Sequence, residues 1–317
     1  MNAKLLILCP GQGGQYAGMF DLASTDQAGA ALLGGLRARG AHAKPPYGIA
    51  HGLHAAGTDA GALFANRTAQ PLIVAATLAM WEALRMHAPQ PALVAGYSVG
   101  ELAAWSVAGA VSPQDAVDLA QTRAELMDRC LADSPGQALL AVTGLPPPRA
   151  GTLAAPHGFH VAIFTGGDSC IIGGPADGAA QAEAPLAAAG ARVTQLPVEI
   201  ASHTPFMANA VAPFAAALRA SRLHAADTPV LSGIGAVRLT SREQAVEHLS
   251  RQLDEPVLWD ECMDACAEAG ITVALELGPG AALTRMMQAR HPGIPCRSVA
   301  DFRSLDGIRA WLKRYCG

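Results

Sequence analysis

The chain has 317 residues, 51% hydrophobic and only 15% charged, with a formal net charge of −4. That composition describes a globule with a large core, excludes a disordered chain and offers no electrostatic case for nucleic acid. No run reaches the ~18 continuous apolar residues of a membrane span, and residues 1–9 are too short for a signal peptide, so a cytoplasmic protein with no membrane partner is expected.

The seven cysteines are scattered and form no C-x-x-C pair. They are read as small buried side chains, with no disulfide and no metal site expected. His51/His54 and His157/His160 are isolated pairs on loops and are not read as metal ligands.

In chain order, Leu5–Cys9 is an apolar run that predicts a buried strand. It ends in Pro10-Gly11-Gln12-Gly13-Gly14-Gln15, which matches neither a Walker A loop nor G-x-G-x-x-G, so phosphate binding is not indicated. The loop is either a plain turn or the source of a backbone N–H donor for an oxyanion. Residues 21–65 are weakly patterned and predict broken helices and loops. Thr68 is placed to cap a helix running through Leu72, Ile73, Ala76 and Leu78 to about Met86.

Next come a strand at 92–95, Gly96-Tyr97-Ser98-Val99-Gly100, and a helix through Leu102 and Trp105 that ends near Gly109. G-x-S-x-G between strand and helix is the nucleophile-elbow pattern. The turn lifts the Ser98 hydroxyl to a helix N-terminus, where free N–H groups and the helix dipole favour a developing oxyanion.

Ser112-Pro113 predicts a cap with proline at the first helical position, opening a helix to about 131. One arc of that helix is apolar from Ala116 to Leu131, and Arg123 alone interrupts it. A guanidinium does not lose its proton, so burial demands an anion or a wet pocket. Two readings stay open: an internal salt bridge, or a bidentate site for a substrate carboxylate.

Residues 135–198 change character. Apolar runs at 138–143, 159–164, 169–173 and 192–198 alternate with helical stretches at 146–155 and 175–189. The order is β-α-β-β-α-β, a ferredoxin-like unit whose Pro- and Gly-rich joints suit an insertion. His203 follows where the chain returns to the larger unit, with Ser202 or Thr204 able to cap the next helix. A histidine between two units points to a cleft. Beyond it lie a short strand at 229–232, a capping box at Ser241-Arg242-Glu243-Gln244 opening a helix to about Leu253, and a strand at 271–277. A Gly278-Pro279-Gly280 turn leads into a helix at 281–290, and a last helix spans about 304–315.

Several stretches together resemble the malonyl-CoA:acyl carrier protein transacylases: Pro10 to Gln15, Gln70-Pro71, Gly96 to Glu101, Arg123, Ser202-His203, Arg251-Gln252-Leu253 and Glu276 to Gly280. The resemblance runs from about residue 5 to 290. It implies an α/β class, with an α/β-hydrolase-like catalytic domain at 1–133 and 199–317 and an inserted ferredoxin-like subdomain at 134–198. It implies Ser98 as acyl nucleophile and His203 as general base, then acid. It further implies the N–H groups of Gln12 and Val99 as oxyanion hole, Arg123 as partner of the malonyl carboxylate, and the Gln252 carbonyl in place of a triad Asp. The family usually has His where this chain has Tyr97, and often Asn where it has Thr165.

The activity so implied is ping-pong transfer of a malonyl group from malonyl-CoA to the phosphopantetheine-type thiol of an acyl carrier protein. CoA enters as a thioester substrate, with no bound cofactor and no metal. Asp301 to Gly307 looks more like the transferase subunit of malonate decarboxylases, where the acceptor is a related carrier thiol. A general esterase or thioesterase would leave Arg123 unexplained, and a non-enzymatic docking module requires Ser98 or His203 to be misplaced.

Overall fold

The computed structural model describes residues 3–40 and 63–317; the His51/His54 pair lies outside them. The fold is mixed α/β with two mixed sheets. The larger sheet is built from β1 (Leu5–Cys9), β2 (Leu93–Gly96), β7 (Val230–Leu231), β8 (Arg238–Leu239), β10 (Val273–Glu276) and β11 (Cys296–Ser298) in the order β11-β10-β1-β2-β7-β8. All neighbours are parallel except β7 and β8.

The strand period of two explains how this sheet is covered. Leu5, Ile7 and Cys9 face one side and Leu6 and Leu8 the other, and all five are buried. On the first side pack α3 (Asn66–Leu84), α4 (Gly100–Val107), α5 (Pro113–Asp133), α8 (Ala208–Ala220), α9 (Arg242–Arg251) and α12 (Leu305–Cys316); α1 (Asp21–Ser24) and α2 (Gln27–Gly40) join them. On the second side lie α10 (Trp259–Glu268) and α11 (Ala282–Arg290).

The smaller sheet contains β3 (Gln137–Thr143), β4 (His160–Gly166), β5 (Ser169–Pro175) and β6 (Arg192–Gln195), with α6 (Pro147–Ala154) and α7 (Ala179–Ala188) between them. Its order is β6-β3-β5-β4, all antiparallel, over a separate core that includes Val142, Phe159, Ile172 and Leu186. A fifth strand, β9 (Val257–Leu258), arrives from far beyond residue 198 and pairs in parallel with β4.

Local sequence signals set several helix starts. Ser112 Oγ accepts from Asp115 N at 3.1 Å with Pro113 behind it, and the Ser241–Gln244 capping box closes in both directions. Thr68 does not cap α3. That helix starts two residues earlier, with Ala65 as its N-cap and the Thr68 and Ala69 N–H groups on the Ala65 carbonyl. Asn66 instead turns its side chain to α5, donating to Ala124 O and Asp128 Oδ1. All seven cysteines are free and six are buried. Among the described residues no group of His, Cys, Asp or Glu is arranged to hold a metal ion, and no helix is long and apolar enough to cross a membrane.

Candidate active site

The site grows from the carboxyl ends of two adjacent parallel strands. β1 and β2 end in register, Cys9 opposite Gly96, so the glycine loop and the elbow emerge side by side. Both elbow glycines are required by close approach. A Cβ on Gly96 would sit 2.3 Å from Glu101 Cα, and one on Gly100 would sit 2.2 Å from Cys9 O. The glycine loop lies against Ser98, since a Cβ on Gly11 would come within 3.6 Å of Ser98 Cβ.

Ser98 has φ 54° and His203 has φ 63°; they are two of the three non-glycine residues with positive φ among those described. That conformation costs on the order of 1–2 kcal/mol for a residue with a Cβ. The pair is joined by Ser98 Oγ–His203 Nε2 at 2.8 Å. His203 is fully buried and held twice by the end of α9: its N–H donates to Leu253 O at 2.8 Å and its Nδ1 to Gln252 O at 2.5 Å. A carbonyl can only accept, so Nδ1 carries the proton and Nε2 is free to accept from the Ser98 hydroxyl. Gln252 is the C-cap of α9. Its carbonyl is one of the groups a helix end leaves without an intrahelical partner, at the negative end of the dipole. Ser202 does not cap α8. Thr204 takes the N-cap position of the short 3-10 turn Pro205–Met207 that leads into α8, with Pro205 behind it, but caps it by its backbone carbonyl alone: its hydroxyl donates to Ala201 O, closing the tight turn around His203, and Met207 is the N-cap of α8 itself.

The hydrogen bond to Gln252 supports the imidazolium, but burial and the neighbouring Arg123 charge outweigh it and push His203 down to about 3. The imidazole is therefore neutral at neutral pH. The N–H groups of Gln12 and Val99 have no acceptor among the described residues. Val99 is the N-cap of α4, so its N–H stands at the positive end of that helix.

Arg123 is 2% exposed and forms no ion pair among the described residues. The internal salt bridge is thus not what holds it. Its Nη1 donates to Gln70 Oε1 at 2.7 Å and meets Met127 Sδ at 3.2 Å. Its Nη2 makes only long contacts, 3.4 Å to Ser98 Oγ and 3.5 Å to Gln252 Oε1. Burial lowers it to about 10, so it stays charged at neutral pH. The result is a desolvated cation beside the Ser98 hydroxyl, with Nη2 left on long contacts alone.

Two side chains of this network carried no role at the sequence level. Gln70 and Glu101 stand in stretches that drew the resemblance, but nothing local marks them as partners of Arg123 and Gln252. Tyr97 packs edge-on to Trp259, with centroids 5.2 Å apart, and Thr165 bonds Ser169 across the β4–β5 hairpin at 3.0 Å. A cleft of about 1030 Å³ has Gln12 on its wall and runs between Phe64, Asn66 and Leu131 and the 195–200 segment.

The elbow thus brings together the Ser98 hydroxyl, the His203 imidazole and the buried Arg123 guanidinium. The acyl transferase domain family matches residues 7–302, and the chain belongs to that family, which includes the malonyl CoA-acyl carrier protein transacylases. One of these, from Mycolicibacterium smegmatis, is 35% identical over 247 residues, covering 75% of this chain and 84% of that protein. The crystal structure of the malonyl-CoA:acyl carrier protein transacylase of Xanthomonas oryzae superposes with a TM-score of 0.88 at 27% identity over 100% of both chains. An acyl carrier protein S-malonyltransferase from Vibrio cholerae gives 0.87 at 26% identity, over 96% of this chain and 100% of that one.

Proposed function

We propose that this chain is an [acyl-carrier-protein] S-malonyltransferase that moves malonyl from malonyl-CoA to the phosphopantetheine-type thiol of an acyl carrier protein. The observation that carries this reading is Arg123, buried, charged and without a carboxylate partner among the described residues, 3.4 Å from Ser98 Oγ. The names of the relatives at 35% identity support it.

In the first half-reaction Ser98 Oγ attacks the thioester carbonyl while His203 Nε2 takes its proton. The tetrahedral oxyanion is received by the N–H groups of Gln12 and Val99. The C–S bond breaks, CoA leaves with the proton from His203, and malonyl remains as an ester on Ser98. The carrier thiol then attacks that ester through the same steps in reverse order. Arg123 holds the malonyl carboxylate throughout by a charge-assisted pair. This chemistry calls for no metal and no bound cofactor.

The order β6-β3-β5-β4, with α6 and α7 as the connections between strands, supports a ferredoxin-like subdomain at 134–198. The parallel sheet with its elbow after β2 supports an α/β-hydrolase-like catalytic domain at 1–133 and 199–317. An esterase would gain nothing from Arg123. In the malonate decarboxylase setting the donor chemistry is the same and only the carrier differs. The distinctive Asp301 to Gly307 stretch serves the C-terminal helix locally: Ser304 caps α12 through Gly307 N, and Phe302 packs on Trp311.

Brief incubation with malonyl-CoA tests the reading by intact mass. One added malonyl group on the Ser98 peptide, discharged by a carrier thiol, is expected. Turnover without a Ser98 adduct would contradict it.

A further inference from the structure

Glu101 follows the elbow on the first turn of α4 and is 1% exposed. An acid on a first turn ordinarily serves the helix dipole from the surface. This one turns inward. Its Oε2 accepts from Gln252 Nε2 at 2.6 Å and from Gly233 N at 3.1 Å. Burial pushes it up to about 7, against the opposing effects of those hydrogen bonds and of the Arg123 charge.

The consequence lies one residue further on. A primary amide has two orientations of nearly equal shape, and its partners choose between them. With Nε2 committed to Glu101, the Gln252 amide presents Oε1 to Arg123 Nη2. Reversed, it would set an NH₂ against the guanidinium, donor against donor. On the other side Gln70 does the same: its Oε1 takes Arg123 Nη1, while its Nε2 donates to Asn66 Oδ1 at 2.6 Å and Asn66 in turn donates to Asp128 at 2.9 Å. The guanidinium thus meets two amide oxygens, Gln70 Oε1 at 2.7 Å and Gln252 Oε1 at the longer distance of 3.5 Å, each backed by an acidic side chain one or two links away. It is held without being neutralised.

We propose that Glu101 is a positioning residue that acts through the Gln252 side-chain amide to keep Arg123 aligned beside Ser98 and free of a direct carboxylate partner. This rests on the reading that Arg123 receives the carboxylate of the acyl group. Glu101 therefore governs discrimination between acid-bearing and neutral acyl groups, whereas the His203 contact to the Gln252 backbone does not depend on it.

The test compares kcat/KM for malonyl-CoA and acetyl-CoA in the full chain, with Tm as a folding control. Glu101→Met removes the acceptor and should lower the malonyl-to-acetyl ratio about tenfold, the scale of one hydrogen bond to a charged group. Glu101→Gln restores an acceptor oxygen and should return the ratio to within about threefold of wild type, roughly the difference between a charged and a neutral acceptor. Gln252→Met removes the linking amide and should match Glu101→Met, which keeps the proposal testable if the latter does not fold. In an Arg123→Ala background Glu101→Met should not move the ratio further. An unchanged ratio in Glu101→Met or Gln252→Met, equal losses for both substrates, or a further shift without Arg123 would overturn the proposal. If Arg123→Ala alone leaves the ratio intact, the underlying reading of Arg123 fails instead, and the two failures are distinguishable.

Discussion

His203 Nδ1 meets the backbone carbonyl of Gln252, at the C-cap of α9, 2.5 Å away. A helix end thereby does for the imidazole what an aspartate does in a three-residue triad: it fixes the tautomer and offers partial negative charge to the imidazolium. A backbone carbonyl survives side-chain truncation. Gln252→Ala should therefore lose far less acetyl transfer than His203→Ala, whose loss should be ~10²–10⁴-fold. Acetyl kinetics on the two variants check this, and equal losses would contradict the carbonyl's role.

The positive φ of Ser98 gives a second test. Ser98→Ala and Ser98→Gly should both fail to form an acyl-enzyme with the fold retained. Glycine relieves the left-handed conformation and alanine does not, so Ser98→Gly should be the more stable of the two by about 1 kcal/mol. Thermal or urea unfolding of both decides it, and an alanine variant of greater stability would show that the elbow is unstrained.

A third expectation concerns pH. With His203 pushed down to about 3, the free enzyme already holds a neutral base at pH 5. Because kcat/KM reports the free enzyme, its acid limb should lack a midpoint near the usual imidazole value of about 6.5. The profile is best taken in Glu101→Gln, so that the neighbouring carboxyl contributes no titration of its own. A limb centred near that value would contradict the full burial of His203.

What was legible in the sequence was mostly local. The elbow, the Ser112 cap and the Ser241–Gln244 box each declare themselves within a few residues, because turns and caps are decided by neighbours. Arg123 was legible as an anomaly on an apolar arc, but its surroundings were not: Gln70 is 53 residues away and the Gln252–Glu101 bond spans 151. Such pairs leave no periodicity. Thr68 and Thr204 mislead for a related reason. A hydroxyl that can cap can equally sit within a first turn or bond a nearby carbonyl, and tertiary contacts choose between these uses. Strand β9 is two residues long and has no signal of its own; the β4 edge defines it.

The most direct measurement is the substrate preference of Arg123→Ala. A charge-assisted pair in a dry site contributes on the order of 1.5–3 kcal/mol, or roughly 10–150-fold. Malonyl transfer should fall by at least that range. Acetyl-CoA leaves the wild-type guanidinium unpaired, so its relative use should rise in the variant. If Arg123→Ala instead lowers Tm and depresses both substrates alike, with the malonyl-to-acetyl preference unchanged, Arg123 is an internal support and the account is contradicted.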